Sequence, residues 1–369
     1  MKIKFYVAVA AFVLAPAPAA AAPGSEWPQA GYGGGNTYYN PGESRLNGDT
    51  IGGIRERWVV PTHSVAHCEV GGGPVVAGGR VFSTDPGGVG AYDSATGVRR
   101  WHVELPRTTV WRLAVADGKL IVLSSACRVP TAFQSNLTAY EMATGARIWS
   151  SGLAKYSFDM RIDRGVVALD SNQDGLASTI AYGVADGKFR WLRRGDRGDG
   201  LISAGGRLLL RRESGGAVAV SITDGRTLWQ TPENWYAVGS DPAGSRFYVG
   251  GPGLAAVDAA TGRRLWASPL EAFAVTSDAR HVYFGRARSV ECLDAATGRK
   301  LWSVHLPGLA GRSVRAGGLL YVAGAALEIR DAATGKPEKS GIAGDVDLPP
   351  VVADGRLLIT DGDQLRAYY

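Results

Sequence analysis

Short apolar runs, each broken by a tight Gly or Asp turn and followed by a second apolar run, recur along this chain. Examples are PVVAGGRVFST (74–84), LAVADGKLIVL (113–123), LISAGGRLLLR (201–211), VRAGGLLYVAG (314–324) and VVADGRLLIT (351–360). Runs of this length bounded by Gly, Asp and Asn predict strand–turn–strand units. Between them lies a second hairpin phrase: AYDSATGVRRW (91–101), AYEMATGARIW (139–149), AVDAATGRRLW (256–266) and CLDAATGRKLW (292–302).

The Trp closing that phrase serves as a ruler. It stands at Trp101, Trp149, Trp191, Trp229, Trp266 and Trp302. Trp58 comes earlier without the turn, and Lys339 takes the same place in the degenerate IRDAATGKPEK (329–339). From Trp58 the spacings are 43, 48, 42, 38, 37, 36 and 37 residues. Four residues before each later ruler position stands a glycine, from Gly97 through Gly335. Eight before it stands Asp or Glu, except at Gly183 and Ser221. A type I turn followed by a left-handed residue makes a bulged hairpin, and glycine takes that conformation without strain. The Asp carboxylate can accept backbone N–H groups across the turn, and the Trp offers a large apolar face to a neighbouring unit.

Four strands in a period of about 40 residues predict one propeller blade per period. The seven intervals from Trp58 to Lys339, followed by three more strands, predict an all-β, eight-bladed β-propeller of four-stranded antiparallel blades. The strand around Trp58 completes the last blade and closes the ring, leaving no free edge. AVDAATGRRLW and its siblings resemble the repeat of the PQQ-like (pyrroloquinoline-quinone-type) eight-bladed propellers, and EWPQAGYGGGNTYYNPGES (26–44) is similar to that family's opening segment. One branch, the quinoprotein dehydrogenases, is longer, binds PQQ and Ca²⁺, and carries an adjacent Cys-Cys pair that this chain lacks; no PQQ is expected here. A second branch, scaffolds such as BamB, matches in length and blade count but has a lipobox cysteine missing here. A third comprises extracellular ligand-binding domains.

The first residues add a location. Lys2 and Lys4, the apolar Phe5–Leu14 run and Ala19–Ala21 have a secretory signal layout, with cleavage expected after Ala21. The reading is a signal over 1–21, an N-terminal segment over 22–57 and one propeller domain over 58–369, secreted to the periplasm or medium, monomeric and without membrane insertion. The formal charge of +6 falls to +4 once Lys2 and Lys4 leave. Spread over one large domain, that gives no nucleic-acid footprint. Three cysteines in an exported chain leave room for one disulfide. Cys68 and Cys127 fall on loops of adjacent blades and are expected to pair. Cys292 takes a strand position that is Ala in sister repeats and reads as core.

Function is expected where the repeat breaks down. The repeated turns join strands C and D, so the variable D–A and B–C loops lie on the opposite face. The starts of the inner strands place Trp111, Arg112, Asp159, Arg161, Asp199, Trp235, Tyr236, Glu271, Arg312, Asp345 and Asp347 around the channel mouth. Aromatics beside Arg and carboxylates suit a protein, a carbohydrate or a small polar ligand. His63, His67 and Glu69 lie in a loop where no helix aligns them as metal ligands, and they read as solvated. DSNQDG (170–175) matches the start of a Ca²⁺ loop through Asp170, Asn172 and Asp174, but its twelfth position is Ala181 and not Glu. Weak Ca²⁺ binding is the most it predicts. No catalytic set can be assigned from spacing. The expectation is a non-catalytic binding or scaffold propeller, with a quinone-independent enzyme at the channel mouth as the alternative and PQQ-dependent oxidation behind both.

Overall fold

The computed structural model describes residues 25–62, 72–127, 135–153, 156–173, 176–342, 346 and 348–369. Its strands form eight sheets, one per sequence period, arranged as the blades of a propeller. Blades 1 to 6 run in chain order over 75–104, 108–153, 157–194, 196–231, 236–268 and 276–305. Blade 7 spans 313–331 and blade 8 begins at Val351. Strands A to D are counted from the channel outward. Glu56–Pro61 pairs antiparallel with Gln364–Tyr368 and supplies strand D of blade 8, closing the ring across 310 residues. Apolar clusters fill the spaces between successive blades, so each blade is buried by its neighbours.

The repeated phrase builds the seam between blades. In each copy the glycine N–H returns to the carbonyl four residues back, as in Gly262 to Asp258 at 2.8 Å, and the glycine takes positive φ. Asp258 Oδ1 accepts the N–H groups of Ala260 and Thr261 and the Thr261 hydroxyl, holding the turn closed. Bare glycine has a second cause here. The Trp of the preceding blade lies flat on it, so that a Cβ on Gly262 would sit 2.8 Å from Trp229 Cε3. The same contact pairs Trp58 with Gly97, Trp101 with Gly145, Trp149 with Gly187, Trp191 with Gly225, Trp266 with Gly298 and Trp302 with Gly335.

Blade 7 departs from the pattern. Its outer strand shrinks to a bridge between Arg330 and Pro337. Pro337 has no N–H for a ladder, and Lys339 offers no ring to the next seam. The sheet regains a fourth strand on its inner side, where Tyr39–Asn40 pairs parallel with Ser313–Ala316.

That inner strand belongs to a strap, residues 25–42, which visits the blades in order. Trp27 bridges Val76 of blade 1, and Gln29 bridges Ala114 of blade 2. The Gln29 amide also makes two bonds to Ile162 of blade 3. Gly34 O accepts from Ser203 N–H of blade 4, and Gly35 O from the Ser240 hydroxyl of blade 5. Thr37 O accepts from Ser277 N–H of blade 6, and Tyr38 O from Arg315 N–H of blade 7. Asn40 Nδ2 reaches Val352 O of blade 8. A backbone crossing a channel must pair its polar groups, and here the inner-strand edges supply the partners. Most contacts fall near the A–B turns, so the strap stops the channel on the face of the repeated hairpins. Trp27, 2% exposed, anchors it with Tyr32 and Tyr38 edge-on at 5.6 and 6.3 Å.

Candidate functional site: a cup at the channel mouth

Above the strap the channel opens into two adjoining cavities of about 720 and 200 Å³, which share Asn36, Asp159, Gly200 and Arg312. The larger one owes its width to blade 4. There strand A is split into Asp196–Arg197 and Ser203–Ala204, both paired with Arg207–Arg212. Between them the chain leaves the sheet. Gly195, Gly198 and Gly200 interrupt the strand pattern, Gly200 takes φ +86° and Leu201 φ +42°. The removed strand segment makes room for a cavity lined by blades 3, 4 and 5, by Phe273 and Ala274 after blade 5, by Arg312 before blade 7 and by Asn36 of the strap.

Charged groups crowd this space. Arg112 Nε donates to Asp159 Oδ1 at 2.8 Å. Asp199 takes the Nε groups of Arg197 and Arg211, each at 3.0 Å. Arg161, 3% exposed, points down into the strap. It donates to Leu201 O at 2.7 Å, to Asn36 Oδ1 at 3.1 Å and to Ala30 O. It therefore joins the cup wall to the plug. Arg312 lies over the Tyr38 ring at 4.2 Å, and its buried Nε has no hydrogen-bond partner.

Asp170 lies on the cavity wall, nearly buried, and accepts the Gly198 N–H at 3.1 Å. Burial pushes its carboxyl well above the ordinary range, the Asp159 charge adds to this, and the Gly198 bond only partly offsets it. Burial also raises the Asp199 carboxyl, against the pull of Arg197. The cup thus holds one carboxyl raised by its surroundings beside ion-paired aspartates. Phe158, Tyr236 and Phe273 give it apolar walls, and Phe273 is 83% exposed.

Of the residues expected at the mouth, Arg112, Asp159, Arg161, Asp199, Tyr236 and Arg312 line one or both cavities. Trp235 is buried in the core between blades 4 and 5, because its ring turns away from the channel. Trp111 stands beside the cup, donating to Ser125 Oγ at 2.7 Å and meeting Tyr156 edge-on. Glu271 is exposed and lines neither cavity. Asp345 and Asp347 lie outside the described residues, as do His63, His67, Cys68 and Glu69.

The DSNQDG stretch is a hairpin. Val166–Gln173 pairs with Leu176–Gly183, and Asn172 occupies a strand position opposite Ala177. Asp174 lies outside the described residues. Among the described residues no group of three His, Cys, Asp or Glu is arranged to hold a metal. Cys292 is a free thiol buried within blade 6, and burial raises its pKa. Asn36, Arg197, Arg211, Phe158 and Phe273 were not expected from the sequence. The glycines of RRGDRGDGLISAGG (193–206) are the signal that could have shown the broken strand.

A family model described as outer membrane protein assembly factor BamB matches residues 48–133, 133–283 and 286–368. No curated relative matches the chain. Among solved structures, quinohemoprotein alcohol dehydrogenase from Comamonas testosteroni is similar at TM-score 0.70 and 14% identity, over 94% of this chain and 81% of that one. BamB from Moraxella catarrhalis is similar at TM-score 0.60 and 17% identity, over 85% of this chain and 97% of that one. At such identities the likeness is one of fold, which hosts both catalysts and scaffolds. The match along nearly the whole propeller, together with its eight blades, places this chain in the PQQ-like propeller family of the BamB model.

Proposed function

We propose that this chain is an exported binding module that takes a small polar ligand in the cup at its channel mouth. The observation that carries this reading is the asymmetry of the channel: a strap bonded to the inner edges stops one end, and the other widens into a walled cavity of about 720 Å³. Such a concave site, part apolar and part charged, is the usual form of a small-molecule pocket. The export signal and a Cys68–Cys127 disulfide belong to the same proposal. An intact mass two hydrogens short of the fully reduced chain, restored by reductant, is the expected signature. Unchanged mass on reduction removes the disulfide.

The fit to a quinone is poor. The adjacent cysteine pair named for the quinoprotein branch has no counterpart, and Cys292 is enclosed in its blade. No chemical step is derived through PQQ. A second reading, a quinone-independent enzyme, draws on Asp170, whose carboxyl is raised by burial, in the same cavity as Asp159, the partner of Arg112. The test is a calorimetric screen of the mature protein against sugars, sugar acids, amino acids and short peptides, with PQQ plus Ca²⁺ as a separate arm. Saturable binding without turnover supports the module. Turnover lost in Asp170→Asn favours the enzyme, and a shifted PQQ absorbance would restore the quinone branch.

A further inference from the structure

The charges around the cup are unequal. Among the described residues, its two cavities are lined by Arg112, Arg161, Arg197, Arg211 and Arg312 against Asp159, Asp170 and Asp199. Two of the arginines are committed. Arg112 is paired with Asp159, and Arg161 is held by strap and loop acceptors. Arg197 and Arg211 share the single carboxylate of Asp199, so one positive charge there is uncompensated. Arg312 has no carboxylate among the described residues, and its buried Nε is unpartnered. Asp170 stands on the same wall, but its carboxyl is nearly buried and already accepts the Gly198 N–H. A buried polar donor without a partner is costly, and guanidinium groups suit planar oxyanions.

We propose that the ligand of the cup is a sugar acid or sugar phosphate, whose oxyanion sits between Arg211 and Arg312 at the interruption of blade 4. This rests on the small-ligand reading above. The aromatic wall of Phe158, Tyr236 and Phe273 gives the carbon skeleton an apolar face. The site reaches from the interrupted inner strand of blade 4 to Arg312 at the start of blade 7, because the missing strand segment opens the wall between them.

Isothermal titration of the mature protein at low ionic strength with glucuronate, glucose 6-phosphate, glucose and glucosamine tests this. Glucuronate or glucose 6-phosphate is expected to bind at least tenfold tighter than glucose, and which of the two leads identifies the oxyanion. Arg312→Gln and, separately, Arg211→Gln should each weaken that binding about tenfold and leave glucose affinity unchanged. Arg211→Gln serves even if loss of the Tyr38 stack unfolds the first variant. Glucose or glucosamine binding as tightly as the acids overturns the proposal and leaves the small-ligand reading standing. So does acid binding that neither variant weakens. No binding by any of the four overturns this proposal, and no binding across the wider screen overturns that reading as well.

Discussion

The indole Nε1 of Trp58 donates to the main-chain carbonyl of Ser94 at 3.2 Å, across the seam between blades 8 and 1. The Ser94 N–H in turn bonds to Gly79 O in the A–B turn of its own blade. One residue therefore ties a blade's two turns together and receives the ring of the blade before. The relation repeats from Trp101 to Met142 O, Trp149 to Val184 O, Trp191 to Ile222 O, Trp229 to Ala259 O and Trp266 to Ala295 O. Trp302 breaks it, since its buried Nε1 has no partner.

This difference predicts unequal costs for one substitution. Trp229→Phe leaves the Ala259 carbonyl without its donor and should cost about 1–2 kcal/mol. Trp302→Phe loses no hydrogen bond and removes an unsatisfied donor, so its cost should be smaller. Paired urea unfolding curves measure the difference; equal losses would show that ring size and not the seam bond sets the cost.

Two glycines separate strain from contact. Gly262 takes φ +73° and has Trp229 against the place of its missing Cβ, whereas Gly118 takes φ +70° with nothing within 4 Å. Gly118→Ala should cost only the left-handed strain, about 1–2 kcal/mol. Gly262→Ala adds the displacement of the ring, a further 1–3 kcal/mol or so. Thermal melts of the two variants should differ in that order.

Arg161 holds the strap to the cup floor. Arg161→Met strips donors from Leu201 O, Ala30 O and Asn36 Oδ1 and should destabilise the protein by about 3 kcal/mol or more. Arg161→Lys keeps the charge but not the fork and should fall between. Limited proteolysis supplies the second readout. Cleavage within 25–42 should rise in the Met variant, and an unchanged cleavage pattern would mean that the blade-edge bonds alone hold the strap.

Asp170 and the turn aspartates set opposite pH slopes. The Asp170 carboxyl is raised from 3.8, so the native state binds the extra proton, and stability from this group is full below pH 3.8 and declines as pH rises through the folded value. Asp170→Asn keeps an acceptor for Gly198 N–H, and its melting temperature relative to the parent should rise as pH climbs from 3.8 toward the folded value and level off beyond it. Asp258 and Asp294 are lowered, chiefly by the Thr261 and Thr297 hydroxyls. Their contribution is present above pH 3.8 and is lost in acid. A pH series of melts on D170N and D258N separates the two. A gain for D170N that does not grow with pH would deny the buried carboxyl its role.

The amino-acid order alone fixed the blades, their number and the closing strand, because a bulged hairpin is made by neighbours: Asp, Gly and Trp within eight residues of one another, repeated. It placed Arg112, Asp159, Asp199, Tyr236 and Arg312 at the mouth for the same reason, since each follows a countable strand boundary. Folding in three dimensions decided the rest. That each glycine must also admit a Trp from the blade before is a contact across some 30 to 40 residues, invisible in any one repeat. That residues 25–42 stop the channel depends on all eight inner edges converging on one axis. Trp235 went to the core because a side chain at a strand start can turn either way, and only its packing partners choose. The local motif offered Asp170 only as the first residue of an incomplete Ca²⁺ loop. Folding set it opposite Asp159 in its own blade and under the Gly198 N–H of blade 4, where burial raises its carboxyl.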